Sequence, residues 1–335
     1  MKITAKAPCR VDLAGGTLDI WPLYLYHPHA VTVNFAVNRY TSCTVQTRTD
    51  TKIVLRSRDL KSEEVFDSLA ALQAAKKYKL PLAAYLVKFF APITGIEVET
   101  FSEAPAGAGI SGSSSLMITL ASALNKLTRR GYSLEQIREV AQNVEAQIIQ
   151  VPTGCQDYYP AMYGGVSAIE LRVDGLHRKA IPIDFEELNA RTVLVYTGEP
   201  RNSVINNWEV TKAHIDGDKQ VFQNFSKIAK IAVRMRAALE NGDWQETGKL
   251  VREEWSHRRK NAPGITTPLI DSLIESTRKA GAMGAKVCGA GGGGCVFLLV
   301  EKGTKERVSE LIVKQGVEVL PVTVAPRGVS VTVKT

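Results

Sequence analysis

Two segments of the chain satisfy a G-x-G-x-x-G pattern, GAGISG at 107–112 and GAGGGG at 289–294, and they sit in opposite local contexts. The first is followed by three serines and an apolar run that predicts a helix, SLMITLASALNKL. The second lies between two strand-like pieces, in KVCGAGGGGCVFLLV at 286–300. Neither context is that of a dinucleotide fold. The second loop runs into a strand where a helix should open, and about 20 residues beyond the first stands Tyr132, at the start of another helix, with no acidic strand end to hold a ribose. A P-loop is excluded as well, because neither glycine run continues into Gly-Lys-Ser or Gly-Lys-Thr.

What the first loop does offer is a set of small residues whose amides can approach an anion, with Ser113, Ser114 and Ser115 at a helix N-terminus. Free N–H groups and the positive end of the helix dipole favour a polyphosphate there, and a serine hydroxyl can coordinate Mg²⁺. Serines that only cap a turn are the plainer explanation, but one serine suffices for a cap. The second loop permits close backbone approach to another object or to the chain itself. A nucleotide between the two loops would explain both.

The 335 residues exceed one typical domain core, so two packed domains are expected, divided near residue 185 into 1–185 and 186–335. Lys plus Arg number 42 against 34 Asp plus Glu, a balance of +8 that is scattered rather than blocked. With no basic tract, zinc-finger spacing or RNP-like aromatic pattern, nucleic acid is not an expected partner. Five cysteines (Cys9, Cys43, Cys155, Cys288, Cys295) form no C-x-x-C pair, which argues against a disulfide framework or a zinc site and for a reducing cytoplasm. Charges at Lys2, Lys6, Arg10 and Asp12 break any signal core, and no stretch approaches the roughly 20 apolar residues of a membrane span.

Alternation of β-branched and polar residues predicts strands across 30–56, at 96–101 and at 192–197, and again at 295–300, 317–323 and 329–334. Two short helices broken near Pro81 are predicted within 67–91. Ser133 with Gln136 is a capping-box signature, and Leu134, Ile137, Ala141, Val144 and Ile148 carry that helix to about Ile149. Longer helices are predicted at 219–241, 243–258 and 304–315. Strands and helices fall in blocks, which favours an α+β fold over a doubly wound sheet.

Three segments, APCRVDLAGGTLD at 7–19, PAGAGISGSSSLM at 105–117 and KVCGAGGGGCVFLLV at 286–300, together resemble the GHMP family of small-molecule kinases in order and separation over essentially the whole chain. The resemblance implies a ribosomal-protein-S5-like N-terminal domain and a ferredoxin-like C-terminal domain. It implies ATP held by Pro105, Gly107, Gly109, Ser111, Gly112, Ser113, Ser114, Gly291 and Gly292. It further implies Mg²⁺ on Ser113, with Ser114 as the nearest alternative, together with Glu145, which precedes Asp157 by twelve residues. Asp157, in VPTGCQDYYPAMYGG, resembles the family's catalytic aspartate, able to accept a hydroxyl proton. Arg10 would balance charge developing in the transfer, and Gly16 and Asp19 would face the sugar. Taken by itself, an Asp in such a segment reads as a turn residue, Glu145 as a solvated carboxylate, and Arg10 with Asp19 as a surface ion pair.

AGGTLD is nearer to the AGGGTD of heptose-7-phosphate kinases than to the Glu-His-Thr-Asp of galactokinases, and Gln156 and Tyr158 lean the same way, as do YTGEPRNS at 196–203 and EEWSHRRK at 253–260, whose Ser256-His257 pair is similar to galactokinase. The resemblance thus implies an ATP-dependent kinase acting at an anomeric hydroxyl of a heptose or heptose phosphate, or of galactose or a related hexose. A catalytically silent sugar-binding regulator is the alternative of another class, and decarboxylation of a phosphorylated mevalonate a third. His27, His29 and Arg201 lie near these motifs, but loop residues of those types are most often solvated and receive no role. The expected partner is a small-molecule sugar or sugar phosphate; oligomeric state is not readable.

Overall fold

A computed structural model describes residues 1–198 and 203–334. The chain opens with β1 (Lys2–Ala14), a 3-10 turn (Leu23–Tyr26), β2 (Val31–Thr47), β3 (Ile53–Ser57) and β4 (Ser62–Phe66). It continues through α1 (Leu69–Ala74), α2 (Pro81–Phe90), β5 (Ile96–Ser102), α3 (Gly112–Thr128), α4 (Leu134–Ile149) and α5 (Tyr158–Tyr163). Next come β6 (Val166–Arg172), β7 (Gly175–Ala180), α6 (Phe185–Arg191), β8 (Thr192–Tyr196), α7 (Ser203–Ile215), α8 (Lys219–Glu240) and α9 (Trp244–Arg258). The last elements are α10 (Pro268–Lys279), β9 (Ala282–Val287), β10 (Cys295–Val300), α11 (Lys305–Lys314), β11 (Glu318–Leu320) and β12 (Ser330–Lys334).

The first sheet runs β12-β1-β2-β5-β3-β4, with β6 and β7 joined through β2, and is antiparallel except between β3 and β5. The second runs β11-β8-β10-β9. Counted from β8, that order is fourth, first, third, second, with helices after the first and third strands, which is the ferredoxin-like arrangement. The fold is α+β, as the blocked pattern predicts. Ser133 accepts from the Gln136 amide while the Gln136 side chain accepts from the Ser133 amide, so the capping box forms as read. Two short helices form within 67–91 with their break ending at Pro81, which begins α2 at a position where its missing N–H costs nothing. β12 pairs with β1, so a division at 185 cuts through one sheet.

β1 matters most for the site. Its first half, Ile3, Ala5 and Ala7, packs in a core with α3, while Cys9, Val11 and Leu13 pack in another with α8 and the second sheet. Pairing with β2 changes register between Pro8 and Cys9, where one half gives way to the other. From Ala7 to Ala14 every residue is buried, and this covered stretch carries Arg10 and Asp12 into the interior between the two sheets.

Candidate active site

The N-terminus of α3 forms one wall of a cleft of about 390 Å³. Pro105, Gly107, Gly109, Ser111, Gly112, Ser113 and Ser114 line that wall; Arg10, Asp19 and Asp157 line the same cleft, with Glu145 beside the helix. Ser111 takes a left-handed backbone conformation (φ 61°) where most N-caps are extended, and its buried hydroxyl has no hydrogen-bond partner among the described residues. An unpartnered donor at the start of a 17-residue helix suits a phosphate oxygen. The glycine loop, helix N-terminus and orphan hydroxyl therefore fit a polyphosphate.

Glu145, on α4, is buried, and its Oε2 accepts from the Ser114 hydroxyl at 3.2 Å and closely from the Tyr158 hydroxyl. Burial pushes its carboxyl up, against the bonds from Tyr158, Ser113 and Ser114 that favour the charged form. Ser113 is exposed to the cleft. A carboxylate and two hydroxyls are hard oxygen donors, the set Mg²⁺ takes when phosphate and water complete its shell.

Asp157 stands at the N-terminus of α5. Arg10 donates to its Oδ1 from Nε at 2.8 Å and from Nη2 at 2.6 Å, while Nη1 donates to the Gly109 carbonyl at 2.8 Å. One fully buried guanidinium thus joins the carboxylate to the phosphate-side loop. The two residues are 147 positions apart in sequence, and the pairing depends on β1 and α5 being packed together.

Asp19 is buried, and its Oδ2 accepts from the Gln156 amide at 2.8 Å. Burial, with the charge of Asp157 adding to it, raises its carboxyl from the usual 3.8 to about 7. Between pH 4 and 7 the folded chain then holds a proton that the unfolded chain has released, so this group's contribution falls as pH rises through that window. Asp19→Asn is expected to gain stability over the parent on going from pH 5 to pH 8, by about 2 to 4 kcal/mol. Thermal unfolding at both pH values measures it; a pH-independent difference would contradict it.

Three expectations land elsewhere. Gly291 and Gly292 do not line the cleft: Gly292 donates to the Ile265 carbonyl at 2.9 Å, and a Cβ on Gly291 would sit 2.5 Å from that oxygen, so Gly289 and Ala290 take the cleft-facing places. Gly16 lies just outside the lining, where a Cβ would meet Arg258 Nη2 and Asp12 Oδ2 at 2.6 Å. His27 is buried rather than solvated, its Nε2 2.8 Å from His214 Nε2, away from the cleft. Arg201 lies outside the described residues. Residues that sequence reasoning missed are Tyr158 as a donor to Glu145 and the buried group Asp12, Glu254, Arg258 and Lys286.

The family described as GHMP kinases N terminal domain matches residues 70–165, and GHMP kinases C terminal matches 235–317. A D-glycero-alpha-D-manno-heptose 7-phosphate kinase of Campylobacter jejuni is 26% identical, covering 93% of this chain and 94% of its own. A galactokinase of Pyrococcus furiosus is 24% identical over 94% of this chain and 93% of its own. Among solved structures, a D-glycero-D-manno-heptose 1-phosphate kinase from Bacteriodes thetaiotaomicron superposes with a TM-score of 0.80 at 22% identity, covering 99% of both chains. Among the described residues no helix is long and apolar enough to cross a membrane.

Proposed function

The chain belongs to the GHMP kinases, and from that premise we propose that it transfers the γ-phosphate of ATP to the anomeric hydroxyl of a sugar, a heptose or heptose 7-phosphate. The observation that carries the reading is one carboxylate, Asp157, held by a buried arginine between the N-terminus of α3 and buried Asp19 in a single cleft. Bound there, ATP supplies the phosphoryl group and Mg²⁺ the charge that shields its oxygens. Ser113, Ser114 and Glu145 are the residues to hold the metal, and the amides of 107–114 the phosphates.

Arg10 occupies Oδ1 of Asp157, which leaves Oδ2 to accept the hydroxyl proton as the sugar oxygen attacks. Asp19 orients a neighbouring hydroxyl. Arg10, kept in place by Gly109, also offsets negative charge accumulating at the transfer point. Galactose or a related hexose is the second acceptor, on the whole-length likeness to a galactokinase. The machinery for proton transfer argues against a silent regulator.

The test is ATP turnover against a panel of heptoses with and without a 7-phosphate, galactose and other hexoses. Turnover of a heptose substrate above the hexoses supports the reading; a preference for galactose moves the substrate, and no turnover with any sugar refutes it. For the metal, Glu145→Gln is expected to raise the half-saturating Mg²⁺ concentration by about tenfold or more and to lower turnover, because a charged ligand becomes a neutral amide. Folding survives, since the amide oxygen still accepts from Tyr158. Rate measured against Mg²⁺ decides, and an unchanged curve would move the metal from Glu145.

A further inference from the structure

Four ionisable side chains left unused by the proton transfer form a closed group between the first sheet, α9 and β9. Lys286 is fully buried; its Nζ donates to Asp12 Oδ2 at 2.9 Å and lies 3.1 Å from Glu254 Oε1. Arg258 Nε donates to Glu254 Oε1 at 2.8 Å, and its Nη2 is 3.3 Å from Asp12 Oδ2. Two cations and two anions balance within the group. Burial would raise Asp12, but Lys286, Arg258 and Arg10 hold it below the usual carboxylate range. Sealed charges persist only as a complete set, because removing one leaves its partner buried and uncompensated.

A group that served packing alone would end at these contacts. Arg258 goes further, donating from Nη2 to the Gly16 carbonyl at 2.8 Å and from Nη1 to the Gly289 carbonyl at 3.1 Å. Gly16 leads directly into Thr17 and Asp19 at the acceptor end of the cleft, while Gly289 and Ala290 line it from the second glycine-rich loop. We propose that Arg258 is a positioning residue for phosphoryl transfer: it ties the acceptor loop at 16–19 and the glycine-rich loop at 289–290 to one rigid helix, with Asp12, Glu254 and Lys286 fixing its guanidinium.

This proposal rests on the kinase reading for its rate effect. The planar fork of an arginine holds several acceptors in set directions, which a lysine ammonium cannot. Transfer requires two reactants at close range, and a displacement near 1 Å can cost about a hundredfold in rate. Gly16 fits the same account, because a Cβ there would meet Arg258 Nη2, Asp12 Oδ2 and Gln156 Nε2 within 2.7 Å.

Arg258→Lys keeps the cation beside Asp12 and Glu254 but cannot span both carbonyls. With the sugar that the parent phosphorylates best, kcat is expected to fall ten- to a hundredfold, while the dissociation constant of a non-hydrolysable ATP analogue and the KM for sugar stay within about threefold. In amide hydrogen exchange, residues 15–20 and 289–294 should speed up together and the rest of the chain should not. Faster exchange throughout, with affinity and rate falling alike, would leave Arg258 a merely structural residue and overturn the proposal, as would unchanged kcat and exchange. If the lysine variant does not fold, Glu254→Gln with Arg258→Met keeps Asp12 and Lys286 balanced and takes the same measurements. Should the parent phosphorylate no sugar, the kinase reading fails, and exchange at the two loops still decides whether Arg258 joins them.

Discussion

Asp157→Asn is expected to lower the single-turnover rate of phosphoryl transfer by about a hundred- to ten-thousand-fold, or about 3 to 5 kcal/mol of barrier. Affinities for ATP and sugar should stay within a few-fold. The amide keeps the shape of the carboxylate, and its oxygen can still accept from Arg10 at the position Oδ1 now occupies. It cannot take up a hydroxyl proton, nor does it neutralise the guanidinium. Single-turnover measurements with both substrates saturating isolate the chemical step from product release. A near-parental rate would leave the kinase reading standing while removing Asp157 as its base.

Much of this site is legible in the sequence wherever chemistry is local. The serines after the first glycine loop sit where a helix must begin, and α3 begins there. The capping box at Ser133 and Gln136 sets the start of α4, whose stripe then places Glu145 against α3. Long-range pairings are a different matter. Nothing in local patterning joins Arg10 to Asp157, and only the resemblance to a family connects them. β1 escapes periodicity because its second half is covered on both sides and does not alternate. The six-residue α5 is too short to display a helical stripe, yet it delivers both Asp157 and Tyr158.

The buried charge group was hidden for another reason. Glu254 and Arg258 stand four apart on α9, the same spacing as an ordinary surface pair, and charged residues are rarely interior. In EEWSHRRK the eye falls on Ser256 and His257, but Ser256 only donates to the Glu253 carbonyl on the exposed side. Its inward residues are Glu254, Trp255 and Arg258. Similarly, a run of glycines does not say which of them touches a ligand: Gly291 is needed for packing on Ile265, and the cleft is met two residues earlier.

Arg10→Met tests the unit that Arg10 and Asp157 form. Methionine fills a similar buried volume without charge, so the strand should still pack, while the Gly109 carbonyl loses one donor and Asp157 Oδ1 loses two. Asp157 remains about a quarter exposed and water can replace the lost bonds, which limits the stability cost to about 1 to 3 kcal/mol. The rate should fall by about a hundred- to a thousandfold, comparable to removing one donor aimed at developing charge. ATP affinity should fall too, unlike in Asp157→Asn, because the Arg10 side chain anchors the loop that carries Gly109, and the bond that the residue 10 amide donates to the Ile110 carbonyl, which survives the substitution, holds that loop only in part. Arg10→Lys should recover little, since one ammonium cannot bridge Asp157 and Gly109 together. Combined with Asp157→Asn, Arg10→Met should cost less than the two separate losses added, because either change alone already ends the pairing of guanidinium charge with carboxylate charge. A double-mutant cycle on single-turnover rates reads this directly. Fully additive losses would mean that Arg10 acts on the phosphoryl group independently of the carboxylate it holds.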